Sequence, residues 1–378
     1  MIESIKNTMK RLCFPFVNGY LKRRYSLVSQ KININGPAFV FCSYKSKLDP
    51  LIVSNFIKQN IHLVVDKTFS FGIIDKLKSC FGLICANSVE PDIGSIRKIS
   101  KVIQNNGIVV FFPFEQPNQN ARLKPVYSKL IKKYKLPSFI TTIVGSEFVL
   151  PYWGKSKNFM PIEIKIVDSF DKNFIQNSTI DSIGSRLESG LSIKNTTDCV
   201  RYVGKCPAEN IEKFLFTCPE CGALCTIKSK KDRFWCSACG DNNTFLPNGT
   251  ILSSHFKNIN DWRALQDEYV YEIIKRRTET DEVILHDIGW HVKNLFNRKN
   301  SMFGGFFETF LFPNRLLIAN KKFRKEIPID DIIEIKFNIK NKLIIYAKQN
   351  IKLALTPTNC ISSEKYCIFI DKLKSMIS

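Results

Sequence analysis

Cys218-Pro219-Glu220-Cys221-Gly222 and Cys236-Ser237-Ala238-Cys239-Gly240 repeat one five-residue pattern, with fourteen residues between Cys221 and Cys236. Nothing else in the chain restricts its fold so tightly, because four thiolates at this spacing can close a tetrahedral site around one ion. A glycine directly after each pair permits the tight turn whose amides face the sulfurs. The expectation is a small zinc ribbon over residues 212–247. Its Zn2+ would be structural, held by Cys218, Cys221, Cys236 and Cys239, with no coordination position left for chemistry. Disulfides are the alternative for these thiols and belong to oxidising compartments. The sequence shows no secretory leader pattern, and no apolar run reaches the roughly 20 residues of a membrane-spanning helix. A cytoplasmic location is therefore expected, and with it the metal. Cys225 is close but off register, and Cys42, Cys80, Cys85 and Cys367 sit in apolar contexts that read as core.

Upstream of the ribbon, apolar runs alternate with amphipathic stretches. Strands are expected near 38–43, 61–65, 107–112, 138–144 and 162–167, with helices near 50–58, 71–80, 92–105 and 125–135. Near-continuous apolar strands between helices imply an α/β domain with a largely buried sheet. Residues 168–205 turn polar and read as a helix and linker closing a domain that spans 1–205. His62 falls inside an apolar run and reads as a core histidine.

Ser43-Tyr44-Lys45-Ser46-Lys47-Leu48-Asp49-Pro50 follows the first of these strands. The segment is similar, at Ser46, Asp49 and Pro50, to the N-H-x-S-x-x-D-P motif of the glycerophospholipid (lysophosphatidate) acyltransferase family. Further blocks in the same order extend the resemblance over roughly residues 1–200. Val64 to Thr68, with Lys67, resembles the family's next strand. Gly82 to Asn87 resembles its G-x-x-F-I-x-R block, and Gly107 to Pro117 its strand ending in F-P-E-G-x-R. The resemblance implies transfer of an acyl chain from acyl-CoA or acyl carrier protein to a lysophospholipid. Asp49 and Tyr44 occupy the catalytic positions, and Ser46, Glu115, Arg122 and Lys124 are the candidates for substrate binding. It also implies three losses, because Tyr44 stands where the family has its histidine base, Asn87 near an arginine, and Pro117 at the phosphate-binding arginine. A histidine suits a general base because its pKa lies near neutrality. A phenol has a pKa of about 10, so roughly a thousandth is ionised at pH 7. Two function classes follow: a peripheral acyltransferase with an altered base, and a catalytically inactive homologue serving as a lipid-binding or scaffold protein.

Beyond the ribbon, Ile259, Trp262, Leu265, Tyr269, Ile273 and Ile274 mark a connecting helix within 251–280. Residues 281–378 then change to period two. Seven short β-patterned runs are expected, at 282–285, 306–312, 315–319, 326–329, 332–338, 342–347 and 351–355, followed by an amphipathic helix at 363–376. Strands in series closed by one helix resemble the pleckstrin-homology and GRAM-like superfold, which often binds phosphoinositides or peptides. Within the ribbon, Arg233, Phe234 and Trp235 with Lys228, Lys230 and Lys231 make a basic, aromatic hairpin, read either as a contact surface or as a solvated tip with one packing tryptophan.

Lys and Arg total 56 against 34 Asp and Glu, a net charge of +22. No fingerprint of a module that reads RNA or DNA accompanies this charge. Lysine alongside abundant Asn and Ile is read either as compositional bias or as attraction to an anionic phospholipid surface on the cytoplasmic side of the membrane, which is the expected partner rather than nucleic acid. Residues 4–25 mix apolar and basic side chains in a way that suits either the headgroup region or packing on the protein's own domain, with Pro15 interrupting any single helix.

Overall fold

The computed structural model describes residues 33–44, 46, 49–57, 61–66, 83–86, 93–113, 123–149, 151–154, 162–191, 206–246, 249–295, 303–338, 341–358 and 360–377, together with Gly19. The basic segment 4–25, Gly19 apart, lies outside these residues, as do the helix expected at 71–80 and the linker 192–205. The chain divides into two compact units. One comprises Met1–Pro151 and Phe159–Val200, the other Tyr152–Asn158 and Arg201–Ser378. Among the described residues, no helix is long and apolar enough to cross a membrane.

The first unit is built on a six-stranded sheet of β1 (Ala38–Cys42), β2 (Ile61–Asp66), β3 (Leu83–Ala86), β4 (Ile108–Phe111), β5 (Ser138–Val144) and β6 (Glu163–Phe170). Their spatial order is β3-β2-β4-β1-β5-β6. All neighbours run parallel except β6, which pairs antiparallel with β5. Every residue of β1 and β4 is buried, the mark of strands covered on both faces. Phe39, Phe41, Val109 and Phe111 point to one side. There they meet α2 (Ile93–Gln104) through Ile99 and Val102, α3 (Pro125–Tyr134) through Ile131, and α6 (Ile180–Leu191) through Ile183 and Leu187. Phe41 and Phe111 stack at 5.2 Å across the β1–β4 pair. The alternate residues Ala38, Val40, Ile108 and Val110 are also fully buried. Three further helices complete the described unit: α1 (Asp49–Phe56) and the short α4 (Ser146–Val149) and α5 (Lys172–Asn177). The strand expected at 162–167 runs on to Phe170. The polar stretch after it folds into α5, capped by Asp171 on the Phe174 amide at 2.7 Å, and then α6.

The second unit opens with an antiparallel ribbon of β7 (Ile227–Lys230), β8 (Arg233–Cys236), β9 (Asn242–Phe245) and β10 (Ile251–Leu252). Helix α7 (Ile259–Thr280) follows, started by Asn258, whose side chain accepts from the amides of Asn260 and Asp261. A seven-stranded antiparallel sheet comes next: β11 (Leu285–Asn294), β12 (Phe307–Leu311), β13 (Arg315–Asn320), β14 (Phe323–Pro328), β15 (Ile332–Phe337), β16 (Leu343–Ala347) and β17 (Ile351–Pro357). Its order is β14-β13-β12-β11-β17-β16-β15, and α8 (Ser363–Ile377) ends the chain. Seven strands and a closing helix are what the period-two pattern implies, with one correction. The run expected at 282–285 is the lead-in to β11, which continues to Asn294. At Gly289 (φ +108) the register shifts between Ile288 and Trp290, so inward positions pass from Leu285 and Asp287 to Trp290 and Val292. That bulge breaks the alternation on which a strand reading depends. Phe216, Val270, Ile274, Trp290, Phe307, Leu355 and Phe369 belong to one core, so the ribbon's first knuckle, α7, the sheet and α8 condense together.

Candidate functional site

In the first unit the topology draws attention to the carboxyl end of β4 and its parallel neighbours β1 and β2. Open α/β sheets bind ligands outside the carboxyl ends of their strands. Ser43 and Tyr44 follow β1 into this place, and Phe112 and Pro113 follow β4.

Tyr44 is buried, and its ring lies 5.6 Å from that of Phe112. Asp49, at the first position of α1, is fully buried, and its Oδ2 accepts the Ser46 amide at 2.8 Å, while the Asp49 amide donates to the Ser46 carbonyl at 3.1 Å. Ser46 is likewise fully buried. The Ser43 hydroxyl lies 3.3 Å from that of Thr142 on β5 and accepts the Ile143 amide at 3.3 Å, which ties the segment to the next strand. The S-x-x-D spacing therefore makes a closed turn at the start of a helix, with the acid reaching back to the amide three residues before it as in a capping box.

Tyr44, Ser46 and Asp49 are thus brought to one strand end. Lys124 stands immediately before α3, at its N-cap. Glu115, Arg122, Lys67, Asn87 and Pro117 lie outside the described residues. His62, the one histidine in the sequence of this unit, is opposite Val109 on β4, which is opposite Phe39. It is level with a residue three positions before the end of β1, roughly 10 Å back along the strands. Its place is the sheet, away from the Asp49 turn. Phe112 is the participant that sequence reasoning missed. It stands just before Pro113 at the end of an apolar run, and nothing in the sequence says that its ring meets Tyr44.

The second unit gathers Cys218, Cys221, Cys236 and Cys239 so that their sulfurs all lie within 4.8 Å of one another. Cys218 and Cys239 are 3.7 Å apart and Cys221 and Cys236 3.8 Å. A disulfide needs about 2.05 Å. Four thiolates at about 2.3 Å from a central ion stand about 3.8 Å apart along each tetrahedral edge, so the cluster has the dimensions to hold a metal ion. Gly222 (φ +69) and Gly240 (φ +81) adopt the left-handed turn expected after each pair. Their amides donate to the carbonyls of Cys218 and Cys236 at 3.0 and 2.9 Å. Burial pushes the Cys218 thiol up. Burial also acts upward on Cys236, but hydrogen bonds from the Thr226 hydroxyl and the amides of Cys239 and Ala238 outweigh it and bring this thiol down to about 6.

The first knuckle is gripped from α7. Trp262 Nε1 donates to the Thr217 carbonyl at 2.9 Å, and Gln266 Oε1 accepts the amides of Phe216 and Thr217 at 2.5 and 3.0 Å. Arg263 Nη1 and Gln266 Nε2 both donate to the Phe214 carbonyl at 3.1 Å. In the hairpin Phe234, rather than Trp235, is the buried ring, 5.6 Å from Trp262. Cys225 stands apart from the four-cysteine cluster, and its sulfur accepts from Lys365 Nζ at 3.2 Å.

No family model matches the sequence, and no curated protein matches it. Among solved structures the chain is similar to the 1-acyl-sn-glycerophosphate (LPA) acyltransferase PlsC from Thermotoga maritima, with 13% identity and a TM-score of 0.36, over 49% of this chain and 82% of that one. It is also similar to the N-terminal PH domain of human ARAP2 (14% identity, TM-score 0.20, 24% of this chain and 81% of that one). A further likeness is to the Vps36 N-terminal PH domain (12% identity, TM-score 0.20, 26% and 83%).

Proposed function

We propose that this chain is a non-catalytic relative of the glycerophospholipid acyltransferases that works at the cytoplasmic face of a membrane as a lipid-binding or scaffold protein. The observation that carries the reading is the packing at the carboxyl ends of β1 and β4. Where acyl transfer needs a proton acceptor, the ring of Tyr44 is buried against Phe112. Asp49 turns back onto the Ser46 amide of its own loop. A general base must be ionisable near the working pH and within reach of the proton it removes. A phenol, with an ordinary pKa of about 10, is a poor substitute for a base that must work near neutrality, and loss of a general base costs about 10² to 10⁴ in rate.

In the second unit we infer that Cys218, Cys221, Cys236 and Cys239 hold Zn2+. Such an ion would tie the two knuckles together and supply no open position for chemistry. The seven-stranded sheet with its closing helix serves as the PH-like module of the assembly.

Retention of Ser46, Asp49 and Pro50 favours the competing reading, a peripheral acyltransferase that uses acyl-CoA or acyl carrier protein and a lysophospholipid acceptor. The two separate in a steady-state assay with lysophosphatidate vesicles and acyl-CoA, comparing the native protein with Asp49→Ala. The proposal expects both to match the rate without protein. Native turnover that disappears with Asp49→Ala would establish the enzyme instead.

A further inference from the structure

The net charge of this chain is not spread evenly. Between Ile93 and Lys135 nine Lys and Arg residues stand against a single acid, Glu115. That stretch carries +8 of the +22 in 43 of 378 residues, where an even spread would put about three. The fold turns the stretch into a surface. Helices α2 and α3 lie on the same face of the first unit's sheet, and the Ser100 hydroxyl is 2.6 Å from that of Tyr134, linking one helix to the other. Their inner sides are Ile99, Val102 and Ile131. Arg97, Lys98 and Lys101 of α2 are exposed, as are Lys129 and Lys133 of α3 and Lys135 at its end.

Neither helix contains Asp or Glu. Arg97 and Lys101, and Lys129 and Lys133, are like charges four residues apart, a spacing that weakens a helix by a few tenths of a kcal/mol per pair. None of the six exposed cations makes an ion pair with a described residue. Lys132, by contrast, donates to the carbonyls of Ile175, Gln176 and Ser178 at 2.7–3.0 Å and is occupied structurally. Beyond α3, α6 brings Asp181 and Glu188 as well as Arg186, so the purely basic area ends there. Among the described residues, these two neighbouring helices keep a repulsive surface with no internal counter-charge.

We propose that the exposed face of α2 and α3 docks this protein on an anionic phospholipid bilayer. The inference rests on the membrane reading above and names the face responsible for it. Five of the six cations are lysines, compact point charges on flexible stems, which suit a fluid field of headgroups better than the bidentate geometry through which arginine reads bases and phosphates. A Lys or Arg close to acidic lipid contributes about 1 kcal/mol, about fivefold in partition. Removing four is worth on the order of several hundredfold when all four reach the surface.

The test is co-sedimentation of the full-length protein with phosphatidylcholine vesicles, with and without phosphatidylserine, at physiological salt. A face variant carries Lys98→Gln, Lys101→Gln, Lys129→Gln and Lys133→Gln. A control variant loses the same charge elsewhere, through Lys257→Gln, Lys275→Gln, Lys321→Gln and Lys322→Gln, all exposed. The expected result is native binding that requires phosphatidylserine, a loss of about 100-fold or more in the face variant, and a control within a few fold of native. All eight side chains are exposed, so thermal melts should coincide. Equal losses in the two variants would overturn the proposal while leaving membrane association standing. Native protein that ignores anionic vesicles would overturn both. Tighter binding of a single-stranded polynucleotide at the same salt, lost in the face variant, would make nucleic acid the occupant and overturn the proposal.

Discussion

Glu364 is the most consequential single charge in the second unit. Its side chain is 2% exposed, one oxygen is 2.8 Å from Arg263 Nη2, and the other accepts the Tyr152 hydroxyl. Arg263 is also buried, and its guanidinium lies 5.3 Å from the ring centroids of both Phe214 and Phe216. Glu364→Ala takes from that guanidinium its buried ion-pair partner and from Tyr152 its acceptor. Breaking one side of a buried pair costs about 3–5 kcal/mol. In a body of this size each kcal/mol lowers Tm by about 2–4 °C, so the loss is on the order of 6–20 °C. Replacing both charges, Arg263→Met with Glu364→Leu, should recover most of it, because a well-packed apolar pair avoids the desolvation of two ions. The pH dependence has a definite sign. Burial, partly offset by Arg263, holds the Glu364 carboxyl above its ordinary value. The folded state therefore binds this proton more tightly than the unfolded chain. Its stabilising contribution is present below the ordinary carboxylate value and is lost as pH rises through the raised one. Urea unfolding of the full chain, followed by tryptophan fluorescence across that window, reads all three quantities. A Glu364→Ala loss under about 1 kcal/mol, or a double variant no better than the single, would refute the reasoning.

Other outcomes follow from the metal cluster and the Asp49 turn. A methyl group at Gly240 would meet nothing within 4 Å and one at Gly222 only the Tyr269 ring at 3.5 Å, so Gly→Ala at either position tests backbone strain alone. About 1–2 kcal/mol should be lost, measured by denaturation of the metal-loaded protein. In metal-free protein, alkylation of Cys236 should rise with a midpoint near pH 6, while Cys218 reacts only at much higher pH, as peptide mass spectrometry will show. Asp49→Ala should cost about 1.5–3 kcal/mol through the lost Ser46 contact, read by thermal unfolding, and leave vesicle binding unchanged.

Elements with an unbroken hydrophobic period were legible in the sequence. Helices α2 and α3 and strands β1, β4 and β5 fall within a residue or two of the runs that imply them. Period fails where polarity is used internally. On α7 the buried stripe is Trp262, Arg263, Gln266, Val270 and Ile274, and Arg263 and Gln266 are inside because they satisfy backbone groups of the first knuckle. A hydrophobic reading puts Leu265 and Tyr269 there instead. The four-cysteine cluster was legible because ligand spacing is local. What Tyr44 touches was not, since Phe112 reaches it through a strand pairing almost seventy residues away in sequence. The charge excess over 93–135 can be counted in the sequence, but that α2 and α3 turn their cations to one face of the sheet needed the structure.

Single-turnover acyl transfer, with the zinc-loaded native protein in excess over labelled acyl-CoA on lysophosphatidate vesicles, tests the central claim most directly. Run beside Tyr44→His, it should give no product above the protein-free rate in the native chain at any pH from about 6 to 9, because the end of β1 holds a buried phenol where the reaction needs a base. Product from the native protein that is lost with Asp49→Ala would contradict the account.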